Sequence, residues 1–150
     1  MAYTTINKST DYFNTKLYTG NDATSQSITG VGFQPDWIWI KNRDRTDYHI
    51  LVDAVRGAPK EIYSNLNNAE YSNSNGLTAF GSDGYTAGSA SAINANGSNL
   101  VSWNWKAGGG QGSSNTDGTI NTTYTSVNTT AGFSICSYTG TGSNATIGHG

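Results

Sequence analysis

Residues 37–40 read Trp-Ile-Trp-Ile. In a β-strand successive side chains point to opposite faces, so Trp37 and Trp39 share one face and Ile38 and Ile40 the other. Both faces of such a strand are apolar, which rules out a sheet with one side open to water at this position. Each face needs a cover. One is the core of the domain. The other is a second strand, a loop, a neighbouring subunit or a ligand.

The rest of the chain supports a β-rich frame around this strand. Strand-like runs occupy 12–20, 25–33, 36–43, 48–55, 76–80, 85–89 and 101–107. The pairs Asp83-Gly84 and Asn96-Gly97 are tight-turn signals, each predicting a hairpin. After the second, Val101, Trp103, Trp105 and Ala107 alternate with Ser102, Asn104 and Lys106. That alternation predicts an antiparallel strand with the tryptophans turned inward and a wet polar face. No segment sustains the spacing of an amphipathic helix. Residues 58–71, with Ile62 and Leu66 four apart, support one short helical turn. Short strands with turns about every ten residues predict an all-β fold, an antiparallel β-sandwich of jelly-roll-like (concanavalin-like) type with at most one short helix.

Composition narrows the function classes. Apolar residues make up 35% of the 150-residue chain and charged residues 12%, with a formal net charge of −2. A disordered chain of low hydrophobicity carries more net charge than this, and nine Tyr with four Trp argue for a packed fold. No basic excess supports nucleic-acid binding. No apolar run reaches the length of a membrane span. The opening Met1–Thr10 has neither the basic nor the apolar region of a secretory signal, so none is expected there. The single cysteine, Cys136, cannot form an intrachain disulfide and reads as a small packed residue.

A self-match runs across the chain. Phe13, Tyr18, Thr19 and Gly20 recur as Phe133, Tyr138, Thr139 and Gly140; after a shortening by two residues, Gly30 and Gly32 recur as Gly148 and Gly150. This predicts an N-terminal arm over 1–11, a β-sandwich domain over 12–107, a Gly/Ser-rich linker over 108–118 and the start of a second, incomplete copy over 119–150. The motifs "YFNTKLYTGN", "ITGVGFQPDWIWIKNR", "DAVRG", "LTAFGSDGYT", "VSWNWKAGG" and "GFSICSYTGTG" occur in order. They resemble an uncharacterised repeated β-domain of tail-fibre-like virion proteins of tailed bacteriophages, many of them marine. The resemblance implies a structural or adhesive role and carries no catalytic residues.

Catalytic signatures are weak. "GTGSNA" (140–145) fits a dinucleotide fingerprint but lacks the following helix and acid that the fold requires. Two histidines and one cysteine build no zinc spacing, and His49 reads as a structural strand residue. No nucleophile elbow occurs. The acids are scattered, Asp83 making a turn and Asp44 and Asp47 forming an ion cluster with Arg43 and Arg45. A glycosidase would need two of them to converge across a cleft. The candidate binding residues are Trp37, Trp39, Lys41, Arg43, Trp103 and Trp105, as a subunit interface or a glycan platform.

The expectation is therefore a non-enzymatic virion protein, a module of a tail fibre or appendage, with no cofactor and no metal. Its partners would be further copies of itself, a trimer for preference, and other virion proteins. It would be assembled in the host cytoplasm and released by lysis. The alternatives are a carbohydrate-binding module for host glycans and a capsid decoration or spacer protein. Exposure of the tryptophans distinguishes them.

Overall fold

The computed structural model describes residues 5–150, so the first four residues of the expected N-terminal arm lie outside the described residues. The fold is an antiparallel β-sandwich. A 3-10 turn at Ser9–Asp11 leads into β1 (Phe13–Thr19), β2 (Gln26–Thr29), β3 (Trp37–Asn42), β4 (Ile50–Asp53), β5 (Lys60–Tyr63) and β6 (Tyr71–Ser72). Then follow β7 (Leu77–Gly81), β8 (Gly84–Ala87), the single helical turn α1 (Ser91–Asn94), β9 (Asn99–Trp105), β10 (Tyr124–Asn128) and β11 (Phe133–Ser137). The large sheet has the order β1-β9-β3-β4-β5-β6, the small one β2-β8-β7, and β10-β11 form a separate hairpin. The chain passes from large to small sheet between β1 and β2 and between β6 and β7, and back between β2 and β3 and between β8 and β9.

The two sheets enclose one core. Ile38, Ile40, Ile50, Val52 and Leu100 from the large sheet meet Ile28, Leu77, Tyr85 and Ala87 from the small one, with Ile93 of α1 between them. Ile38 and Ile40 are fully buried. Tyr18 points inward from β1, its ring 6.4 Å from that of Tyr85 and its hydroxyl donating to the Ile93 carbonyl at 2.7 Å.

Two local expectations are corrected. The segment 58–71 holds no helix: Ile50 pairs with Tyr63 and Leu51 with Ile62, so Lys60–Tyr63 is a strand. Pairing with β4 satisfies its backbone, which overrides the weak helical spacing of Ile62 and Leu66. The helical turn lies instead at Ser91–Asn94, where the Asn96-Gly97 signal had suggested a strand arm. Asn94 is the reason. Its buried side chain donates to the carbonyls of Ala23 and Gly88 and accepts from the Asn21 N–H at 2.9 Å, tying two segments to one amide.

The tight turn between β7 and β8 forms at Ser82-Asp83, with Gly81 opposite Gly84. The Asp83 carboxylate accepts from the N–H groups of Gly30 (2.9 Å) and Gly32 (2.6 Å) and is held below the usual aspartate range by those bonds. Both glycines have positive φ, +79° and +92°, a region open to glycine without steric cost.

Asp36, fully buried just before β3, accepts from the N–H groups of Ala107 (2.7 Å) and Gly109 (2.9 Å). Further along, the Gly/Ser-rich stretch is tied down by Gly108 N–H to Ser126 Oγ, by the Gln111 side chain to the Val55 carbonyl, and by an isolated bridge between Ser113 and Thr125. In the repeated motif, Phe13–Thr19 and Phe133–Ser137 are both strands; the second pairs with β10, and the segment after it makes a single parallel bridge, Ile120 to Ile147. Half-buried Cys136 lies on β11, its sulfur 3.8 Å from Thr125 Oγ1.

Candidate functional site

The site follows from the registers of β1, β9, β3 and β4. Phe13 lies opposite Trp105, Trp105 opposite Trp37, and Trp37 opposite Asp53. One step along, Thr15, Trp103, Trp39 and Leu51 form a second row, and Leu17, Val101 and Lys41 a third. All of these side chains point away from the sandwich core. The structure thus gathers all four tryptophans of the chain on the outer face of the large sheet.

This corrects the expected orientation of β9. Ser102 and Asn104 face inward, opposite Ile40 and Ile38, and both are 0% exposed; no wet face exists there. Alternation fixed which side chains share a face but not which face lies inside. Asn104 is accommodated by donating to the Asn14 carbonyl at 3.1 Å and to the Ser102 carbonyl and Oγ at 3.2 and 3.1 Å. Buried polar side chains are tolerated when hydrogen-bonded. The indoles occupy the opposite face, where larger groups have room.

The rings form two adjoining groups. Trp105 lies 4.5 Å from Trp37 and 4.8 Å from Phe13. Phe133 of β11 closes over this pair, 6.2 Å from Trp37 and 6.4 Å from Trp105. Trp39 lies 5.3 Å from Trp103 and 6.4 Å from His49, which gives His49 a packing role. Such tilted aromatic pairs stabilise beyond the area they bury. The cover is partial. The four tryptophans are half-buried, while Phe13 is 36% and Leu17 61% exposed. The face therefore continues from the part under Phe133 to an open apolar margin along edge strand β1.

The remaining predicted residues divide. Lys41 shares the face, but its ammonium group donates to the carbonyls of Asn42 and Arg45 (2.8 Å to Arg45). Arg43 follows the end of β3, exposed, with its backbone N–H on the Asn99 carbonyl. The expected ion cluster reduces to Arg45 with Asp47 at 3.0 Å; Asp44 instead accepts from the backbone and side chain of Asn99.

A second polar region was not identified from sequence. Glu61, on the inner face of β5, is 2% exposed and accepts from Asn73 Nδ2 at 3.1 Å and the Tyr63 hydroxyl at 3.3 Å. Burial raises its carboxyl above the usual glutamate range. Burial and the neighbouring Glu61 push the Tyr63 hydroxyl up to about 12. Tyr63 packs against Tyr48 with ring centroids 5.1 Å apart. Tyr48 and Tyr63 lie far apart in sequence and meet only because the β4–β5 hairpin folds back, so no local motif announced them. Among the described residues, no group of His, Cys, Asp and Glu could hold a metal ion, and no helix is long and apolar enough to cross a membrane.

No curated protein and no solved structure matches the chain. A family model described as a domain of unknown function, DUF7483, does match, over residues 8–150, and the chain belongs to that family.

Proposed function

We propose that this chain is a structural, non-catalytic module of a tailed-phage fibre or appendage that assembles symmetrically with further copies of itself through the tryptophan face. The tail-fibre setting, the virion location and the preference for a trimer rest on the resemblance of the ordered motifs. The passage of the chain between the sheets supports a jelly-roll-like reading of the sandwich. One observation carries the assembly reading: an aromatic face on the outside of the large sheet, covered by Phe133 at one end and open along Phe13 and Leu17 at the other. Large exposed apolar patches mark interaction surfaces, and buried aromatics are enriched at interface cores.

A second copy fits this face better than a sugar does. Sugar recognition adds polar groups to a stacking ring. Here Lys41 is already held by backbone carbonyls and Asp53 by Arg56, so the face offers chiefly apolar contact. An apolar partner surface of the same kind is provided by this chain itself.

Leu17 supplies the test, because its exposure makes it dispensable for folding. Sedimentation of the wild type should show a symmetric oligomer. Leu17→Arg, which places a charge in the open margin, should shift it to monomer, with a melting temperature equal to that of the wild type diluted until it dissociates. A wild type that stays monomeric at high concentration would refute the assembly reading.

A further inference from the structure

Away from the tryptophan face, two cavities of about 420 and 430 Å3 share Tyr48 and Tyr63 as a common wall. Each lies within the roughly 300–1,000 Å3 of ordinary small-molecule sites. The first is lined by Glu61, Asn73 and Asp47, the second by Glu70 and Tyr71. Together they form a groove crossing an aromatic ridge, in which Tyr48 is 51% and Tyr71 55% exposed. None of the four tryptophans lines it.

The charged groups lining the groove are all carboxyls, Asp47, Glu61 and Glu70. Glu61 takes two long hydrogen bonds and has no ion-pair partner among the described residues, leaving its carboxyl with unused capacity. Asp47 is held by Arg45, and Glu70 by Lys60 at 2.7 Å and Arg56 at 3.5 Å. The nearby cations are thus already neutralised. A methyl group at Gly76 would overlap Glu61 Oε1, so a glycine there leaves room for the carboxyl at the groove floor.

We infer that this groove binds a neutral oligosaccharide, with sugar rings laid against Tyr48 and Tyr63 and hydroxyls donated to Glu61, Asn73 and Asp47. Exposed tyrosine faces suit the C–H faces of pyranose rings, and convergent acceptors suit hydroxyl donors. The shared wall gives the groove two adjoining subsites, which matches a linear chain better than a single sugar. The cations beside the groove, Arg45, Lys60 and Arg56, are already engaged by Asp47 and Glu70, so the groove lacks the free cation that a uronic or sulfated sugar would need. A raised Glu61 carboxyl accords with this, since its protonated form also donates to a hydroxyl. The assignment goes beyond the assembly role and is independent of it.

The test uses the full chain titrated calorimetrically with maltotriose, cellotriose and chitotriose, and with trigalacturonate as the acidic counterpart. At least one neutral trisaccharide should bind and trigalacturonate should not. Tyr48→Ala should weaken binding about tenfold or more, with an unchanged melting temperature because the side chain is half in solvent. Glu61→Gln, which keeps the shape but alters the acceptors, should weaken it less. Leu17→Arg should leave binding intact, separating this site from assembly. Failure of all three neutral sugars to bind, binding unaffected by Tyr48→Ala, or preferred binding of trigalacturonate would each overturn the proposal.

Discussion

The two faces of the large sheet are built from the same strands and differ in what they carry. Its inner face, within the sandwich, mixes Ile38, Ile40 and Leu100 with the fully buried Ser102 and Asn104. Its outer face carries Phe13, Trp37, Trp39, Trp103 and Trp105. The large aromatic rings thus lie outside, beside Thr15, Lys41 and Asp53. The difference shows that hydropathy alone did not decide placement. Asn104 finds acceptors inside. The indoles find each other outside, across strands in register. An outer face of this kind is half of a core, and a second body completes it.

Several substitutions break or sharpen this comparison. The largest effect is expected on the inner face. Ile38→Ala removes a fully buried side chain from a closed core and should cost about 2–5 kcal/mol in denaturant unfolding. On the outer face, Trp39→Ala should cost roughly 2–4 kcal/mol, less than a fully enclosed tryptophan, because its ring is half-buried against Trp103 and His49. It should also weaken association, which Ile38→Ala tests only indirectly. A Trp39→Ala variant as stable as the wild type would show that the indoles do not pack as one layer.

Asn104→Leu probes the buried polar pair directly. Losing the amide removes the donor to the buried Ser102 Oγ and should cost about 1 kcal/mol. On a wet face the same change would be nearly neutral, so urea unfolding separates the two orientations of β9.

A smaller effect comes from pH. Glu61 also points inward, and burial raises its folded carboxyl above the ordinary value. The folded chain therefore holds that proton more tightly than the unfolded chain. The contribution to stability is complete below the ordinary glutamate range and is lost as pH rises through the folded value. Melting temperatures of the wild type should fall across that window relative to Glu61→Gln. Parallel pH profiles for the two proteins would contradict a buried, proton-retaining Glu61.

Much of the frame was legible because β-strands write their period into the sequence. The runs ending at Thr19, Asn42, Asp53 and Trp105 are strands where alternation placed them. Even the question raised by Trp37–Ile40 was well posed, since both faces do find aromatic or aliphatic neighbours. Orientation was less legible. Alternation is symmetric under exchange of faces, and the fate of Ser102 and Asn104 depended on Asn14, contributed by another strand. The exchange of helix and strand between 58–71 and 91–94 has the same origin. Residues Lys60–Tyr63 are strand because β4 offers them partners, and Asn94 ends a helical turn because two other segments, 21–23 and the one at Gly88, converge on its amide. The four tryptophans were visible as two pairs; that they form one surface required the pairing of β3 with β9. The tyrosine groove needed a hairpin and a loop at once and left no local trace.

Tryptophan emission tests the central claim most directly, because every tryptophan of the chain lies on the outer face of the large sheet. If that face is the interface between copies, dilution through the dissociation range should shift the emission to the red. Sedimentation should follow the same midpoint, and Leu17→Arg should show the red-shifted spectrum at every concentration. An oligomer that dissociates with no change in emission would place its interface elsewhere and contradict the account.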